Sequence, residues 1–185
     1  GFAVAGKGYI GLGYCTDGET SAPLKDFYQY DPATNTWKKV ADFPGDARHG
    51  AVAFTLGNAA YVGLGKIQAT DETFSDFYKY DPATDKWTEI KTSFSNKKGD
   101  AYAFVINNVA YVGGGYSNGV PTEDFYSFDG TNWVPKKALN ADNKDARRFR
   151  AGAFAIGNNG YVVSGRSQSG VVTTVWKYNP SDDSW

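Results

Sequence analysis

"FYKYDPATDKW" (residues 77–87) nearly duplicates "FYQYDPATNTW" (27–37), and looser copies stand at 125–133, "FYSFDGTNW", and 175–185, "VWKYNPSDDSW". Other landmarks keep step with the phrase. Tyr9, Tyr61, Tyr111 and Tyr161 are spaced 52, 50 and 50, and each has a phenylalanine seven residues upstream: Phe2, Phe54, Phe104 and Phe154. Trp37, Trp87, Trp133 and Trp185 are spaced 50, 46 and 52, the short interval arising where "DGTN" replaces "DPATDK". Several landmarks held in register over four cycles identify an internal repeat, and a period near 50 residues points to stacked supersecondary units.

Each cycle divides into four short segments. In the second they are "AVAFTL" (A), "AAYVGLG" (B), "DFYKYD" (C) and "WTEI" (D), rich in Tyr, Phe, Val and Ile and bounded by Gly, Asn, Asp and Pro. Between A and B stand "GK", "GN", "NN" and "GNN", residues that tolerate the positive φ of tight hairpins. Between C and D, "DPATD" combines a Pro that presets φ with an Asp able to bond its own backbone. No segment has an apolar 3.6 period, so the expectation is all-β: four blades of four-stranded antiparallel sheet at approximately 1–45, 46–95, 96–145 and 146–185, the last lacking its outer strand.

With glycines closing segment B (Gly13, Gly65, Gly115, Gly165) and aromatics flanking the C–D turn (Tyr30/Trp37, Tyr80/Trp87, Phe128/Trp133, Tyr178/Trp185), the chain resembles the kelch-repeat family along essentially its whole length. It departs from the family pattern in two ways. The Gly-Gly doublet is complete only at Gly114-Gly115, the other cycles reading Leu12-Gly13, Leu64-Gly65 and Ser164-Gly165, and Phe128 replaces a Tyr. The resemblance implies a β-propeller. With four blades, no methionine and a last residue, Trp185, inside the repeated phrase, the sequence reads as a piece of a larger propeller, with a small closed ring as the alternative. Resemblance to secreted or surface bacterial kelch proteins also implies an extracellular or cell-surface location, or a periplasmic one.

The net charge of −1 supplies no field for nucleic acid, and no apolar run is long enough to insert in a membrane. Cys15 is alone, so no intrachain disulfide can form. His49 and Cys15 are the single histidine and cysteine, which all but excludes a copper or zinc site made largely of His and Cys and counts against the copper chemistry of kelch-like oxidases; no cofactor is expected. "GKGYIG" (6–11) matches a phosphate-loop pattern, but it is a hairpin with no helix after it.

Strand parity puts the D–A and B–C loops on one face. The B–C loops are long and unlike one another: "YCTDGETSAPLK" (14–25), "KIQATDETFS" (66–75), "YSNGVPTE" (116–123) and "RSQSGVVT" (166–173). Variable loops on a repeated scaffold carry binding specificity. In the D–A loops, Arg48, Lys98 and Arg148 recur at intervals of 50 near the mouth of the channel, with His49, Tyr116, Arg147, Arg150 and Arg166 on the same face. These eight residues are the candidate ligand-binding set, suited to a carboxylate, a sulfate or an acidic peptide. A structural alternative stands beside it: Asp26, Asp76 and Asp124 open segment C in three cycles and could brace the basic residues, while the fourth cycle has Thr174 there.

The expected function is a non-catalytic scaffold for a protein segment or glycan. The first alternative is a sugar-processing enzyme at the mouth, as in kelch-type sialic acid mutarotases, using Glu123 with His49 or Arg148. The second is a structural spacer.

Overall fold

A computed structural model describes residues 1–16, 21–91, 94–139 and 146–185, so residues 17–20 of the first B–C loop lie outside it. The first sheet runs β1 (Phe2–Val4), β2 (Lys7–Gly11), β5 (Phe27–Asp31), β6 (Thr36–Val40), with the ribbon β3 (Tyr14–Thr16) and β4 (Ser21–Pro23) inserted. The second runs β7 (Val52–Leu56), β8 (Ala59–Gly63), β9 (Phe77–Asp81), β10 (Lys86–Glu89). The third comprises β11 (Tyr102–Ile106), β12 (Val109–Gly113), β15 (Phe125–Phe128) and β16 (Trp133–Lys136), with ribbon β13 (Tyr116–Ser117) and β14 (Val120–Pro121). The fourth has three strands, β17 (Gly152–Ile156), β18 (Asn159–Val163) and β21 (Val175–Tyr178), with ribbon β19 (Arg166–Ser167) and β20 (Gly170–Val171).

All pairing within these sheets is antiparallel, and no helix occurs among the described residues. The molecule is a four-blade β-propeller arrangement. The sequence places its strands correctly but treats the B–C segments as plain loops. Three of them fold back as short ribbons, and in the second blade a single bridge, Lys66 to Thr73, does the same.

The repeated phrase is spent on turns and on packing between blades. Asp31, Asp81 and Asp129 each accept, through Oδ1, the backbone N–H two residues on, at 2.9, 2.9 and 2.8 Å. Hydrogen bonds hold the three carboxyls below the ordinary Asp range: first Lys7 and then Ala33 N–H for Asp31, Ala83 N–H for Asp81, and Asn132 N–H followed by Thr131 N–H for Asp129. Within each blade the Phe of strand A stacks on the Tyr of strand B: Phe2–Tyr9, Phe54–Tyr61, Phe104–Tyr111 and Phe154–Tyr161 lie 4.9 to 5.5 Å apart. That Tyr then meets the strand-C aromatic of the next blade, Tyr9–Tyr80 at 5.4 Å, Tyr61–Phe128 at 5.5 Å and Tyr111–Tyr178 at 5.3 Å. The Phe opening strand C packs on the next blade's Trp in the same way, Phe27–Trp87, Phe77–Trp133 and Phe125–Trp185, at 5.1, 4.8 and 5.0 Å. Burying one such ring contributes roughly 1.5–3 kcal/mol, so each junction is a hydrophobic core of its own.

Polar bonds fix the blades in register. Asp85 Oδ1 accepts from Ala41 N while Trp87 Nε1 donates to Ala41 O, both at 3.0 Å, clamping one backbone residue of the preceding blade. Asp183 and Trp185 grip Lys137 in the same way. Blade 3 has the shorter turn with Thr131 in place of that Asp, and among the described residues Trp133 Nε1 has no acceptor. Position 12 of the first blade and its equivalents Leu64, Gly114 and Ser164 have φ between 55 and 58°, so three blades hold a side chain in the left-handed region where the family pattern has Gly.

Candidate functional site

The D–A and B–C segments adjoin in every later blade, through the bridges His49–Lys66, Gly99–Tyr116 and Phe149–Arg166. The second residue before strand A takes a left-handed turn in each: Gly50, Asp100 and Arg150 have φ of 64, 56 and 54°. Asp100 N donates to Gly50 O at 2.7 Å and Arg150 N to Asp100 O at 2.9 Å, so these turns are linked blade to blade.

The three basic residues at intervals of 50 are buried beneath this rim. Arg48 and Arg148 are 0% exposed and Lys98 is 1% exposed. Arg48 forms a forked pair with Asp76, its Nη2 donating to Oδ2 at 2.9 Å, and Nη1 also donates to Leu64 O at 3.1 Å. Its guanidinium lies 3.9 Å from the ring centroid of Phe74. Lys98 Nζ pairs with Asp124, which also accepts from Asn96 Nδ2 at 2.9 Å. Burial pushes the Lys98 ammonium below the ordinary lysine range, and Asp124 only partly offsets it. Arg148 Nη2 donates to Thr174 Oγ1 at 2.9 Å and Nη1 to Ser164 O at 3.1 Å.

Each of these residues also accepts, through its carbonyl, the N–H of the preceding blade's kelch-type glycine: Gly13 to Arg48 at 2.9 Å, Gly65 to Lys98 at 2.8 Å and Gly115 to Arg148 at 2.8 Å. Of the two roles open from sequence, the brace with Asp76 and Asp124 is formed, each pair within its own blade. A ligand outside the protein does not reach these three side chains in this conformation.

The remaining candidates separate. Arg147 is half-exposed and bound to Glu123, Nε to Oε2 at 2.6 Å, so the carboxylate considered for acid–base work faces Arg147. His49 packs edge-on to Tyr14, with ring centroids 5.9 Å apart. Burial, then the nearby Lys66 ammonium, holds its imidazole below the ordinary histidine range. Tyr116, Arg150 and Arg166 come together in a cleft of ≈ 490 Å³ with Lys66, Phe149 and Gln168 in its wall.

Tyr116 and Phe149 rings are 4.9 Å apart, and Lys66 Nζ lies 5.5 Å from the Tyr116 centroid. Lys66 reaches Asp71 at 3.3 Å and Asp100 at 3.6 Å, and Arg150 Nε reaches the same Asp100 oxygen at 3.3 Å. Arg166 is exposed and makes no ion pair among the described residues. Three cations against two carboxylates leave a positive charge in an aromatic-walled cleft. The sequence reading missed Lys66, Phe149 and Asp100. The signal was available: Lys66, Tyr116 and Arg166 each follow the glycine closing strand B, at intervals of 50, and differ in chemistry where the scaffold repeats.

No group of three or more His, Cys, Asp or Glu able to hold a metal occurs among the described residues, and no described helix is long and apolar enough to cross a membrane. No curated protein sequence matches the chain. The solved structure of YjhT is similar in fold, with a TM-score of 0.71 at 15% identity over 98% of this chain and 80% of that one. A family model described as the KLHDC2/KLHL20/DRC7 Kelch-repeats domain matches residues 49–185, and the Kelch motif model matches 13–44. The chain belongs to the Kelch-repeat family.

Proposed function

We propose that the protein is a non-catalytic binding scaffold whose cleft takes an acidic segment of a protein partner. The observation that carries this reading is the pair of exposed guanidinium groups, Arg150 and Arg166, beside Phe149 and Tyr116 in a cleft of ≈ 490 Å³. A guanidinium offers a planar fork to a carboxylate, and the rings offer apolar surface to the stem that bears it. The volume lies within the range of ordinary ligand clefts. Glu123, the carboxylate considered for acid–base work, is engaged by Arg147 and does not line this cleft.

Selection from a displayed random-peptide library tests the reading. Wild-type protein should enrich sequences containing Asp or Glu, and the Arg150→Ala/Arg166→Ala variant should bind the selected peptides about tenfold or more weakly, the scale of one lost charge-assisted bond. Enrichment of neutral or basic peptides, or binding unchanged in the variant, would contradict it. Retention of acidic glycans but no peptide would assign the cleft to a sugar instead.

A further inference from the structure

Gly50, Asp100 and Arg150 occupy equivalent positions at intervals of 50, and Asp100 is the one carboxylate among them. Each stands in the left-handed turn ahead of its innermost strand, and Asp100 is tied by its backbone N–H to Gly50 and by its carbonyl to Arg150. Asp tolerates that conformation better than most residues that carry a side chain. A Cβ on Gly50 would lie 2.7 Å from Asp100 Oδ1, so the glycine leaves room for the carboxylate.

The Asp100 side chain reaches cations of two other blades. Its Oδ2 lies 3.6 Å from Lys66 Nζ in blade 2 and 3.3 Å from Arg150 Nε in blade 4. Among the described residues that oxygen accepts no hydrogen bond, so these two charges are what balance it. Asp100 does not itself line the cleft, but both of its cations do. Its side chain is 9% exposed, whereas that of Asp71, the other carboxylate beside Lys66, is 69% exposed. A charge withdrawn from water acts several-fold more strongly on its neighbours than one screened by solvent. Asp100 therefore sets the field at the cleft more than Asp71 does.

Lys66, Arg150 and Arg166 against Asp71 and Asp100 leave the cleft one net positive charge. One negative charge on a ligand is matched by it, and a second would lose its water without gaining a partner. On the reading of the cleft as a site for an acidic segment, we infer that Asp100 is its specificity-determining residue, holding it to singly charged carboxylates and against doubly charged phosphoryl groups. The partner then presents an Asp or Glu side chain there, and a phosphorylated residue at the same place binds no better. Asp100 acts through Lys66 and Arg150, whose charge it partly cancels and whose ammonium and guanidinium it holds at the cleft wall.

Benzoate and phenyl phosphate test this, because at a pH of about 7.5 they carry one and two negative charges on the same ring. Their affinities are read from NMR shifts of the Tyr116 and Arg166 amides. Wild type should bind benzoate at least as tightly as phenyl phosphate. Asp100→Asn keeps the shape of the side chain in a turn that Asn also tolerates, and should move the ratio of affinities about tenfold toward phenyl phosphate. Asp100→Gly, equally at ease in that turn, should move it the same way and serves if the amide variant does not fold. Asp71→Asn should move it about threefold or less. A distorted cleft weakens both probes and leaves the ratio alone. A ratio unmoved without the Asp100 carboxylate, an equal shift in Asp71→Asn, or a wild-type preference for phenyl phosphate would overturn the inference and leave the cleft an anion site. Binding of neither probe to wild type would overturn both readings.

Discussion

Arg148 stands two repeats after Arg48, yet its Nη2 donates to the Thr174 hydroxyl where Arg48 Nη2 donates to the Asp76 carboxylate, both at 2.9 Å. The two buried cations thus meet strand C through different side chains, a carboxylate in blade 2 and a hydroxyl in blade 4. Desolvation makes that difference matter, because removing one partner of a buried pair leaves an uncompensated charge.

Asp76→Ala should therefore lower unfolding stability by roughly 3 kcal/mol, read from denaturant melts. Thr174→Ala removes the hydroxyl bond to Arg148 Nη2 and should cost less, about 1.5 kcal/mol. A loss from Asp76→Ala no larger than that from Thr174→Ala would contradict the charge pairing in blade 2.

The clamp between blades gives a second comparison. Trp87→Phe keeps an aromatic against Phe27 but removes the bond to Ala41 O, at a cost of about 1 kcal/mol beyond the lost area. Trp133→Phe removes no bond among the described residues and should cost less. Equal losses in thermal melts would argue that the indole bond adds nothing.

Ser164 has φ of 55° with a side chain present. Ser164→Gly releases the strain of a left-handed residue and gives back part of it as chain entropy in the unfolded state, for a net gain of roughly 0.5–1 kcal/mol. The expected readout is a melting temperature higher by a few degrees. A lower one would mean the hydroxyl contributes more than the strain costs.

His49 titrates below its ordinary value because of burial and then Lys66. With a folded pKa depressed below the unfolded one, the neutral form is favoured by folding. Its contribution to stability is complete above the unfolded value, about 6.5, and is lost as pH falls toward the folded value. NMR titration of the single histidine should give a midpoint under that value, moving upward in Lys66→Ala. A midpoint unmoved by that substitution would separate the imidazole from the Lys66 ammonium.

The fold was legible because its causes are local and repeated. Asp31, Asp81 and Asp129 close the same turn, Tyr80, Phe128 and Tyr178 fill the same junction, and each writes itself into the sequence at a fixed interval. The cleft was legible in part. Loop position marks Tyr116, Arg150 and Arg166, and the register after the strand-B glycine marks Lys66, but its contact with Asp100 crosses two blades, and no local pattern announces a contact between positions 34 residues apart. The role of Arg48 could not be decided from sequence for a further reason. A cation beside a strand start can turn outward to solvent or inward to Asp76, and only the packing of Phe43 and Phe74 around its guanidinium selects the second.

The basic residues of this face divide into a buried brace and an exposed cleft. Arginine modification of the folded protein by phenylglyoxal, mapped by peptide mass spectrometry, tests that division among all five arginines, Arg48, Arg147, Arg148, Arg150 and Arg166. Arg150 and Arg166 should react early, Arg147 more slowly through its bond to Glu123, and Arg48 and Arg148 only once the protein is unfolded. Modification of Arg48 or Arg148 at the rate of Arg166 in the native state would contradict the brace and return those residues to the mouth.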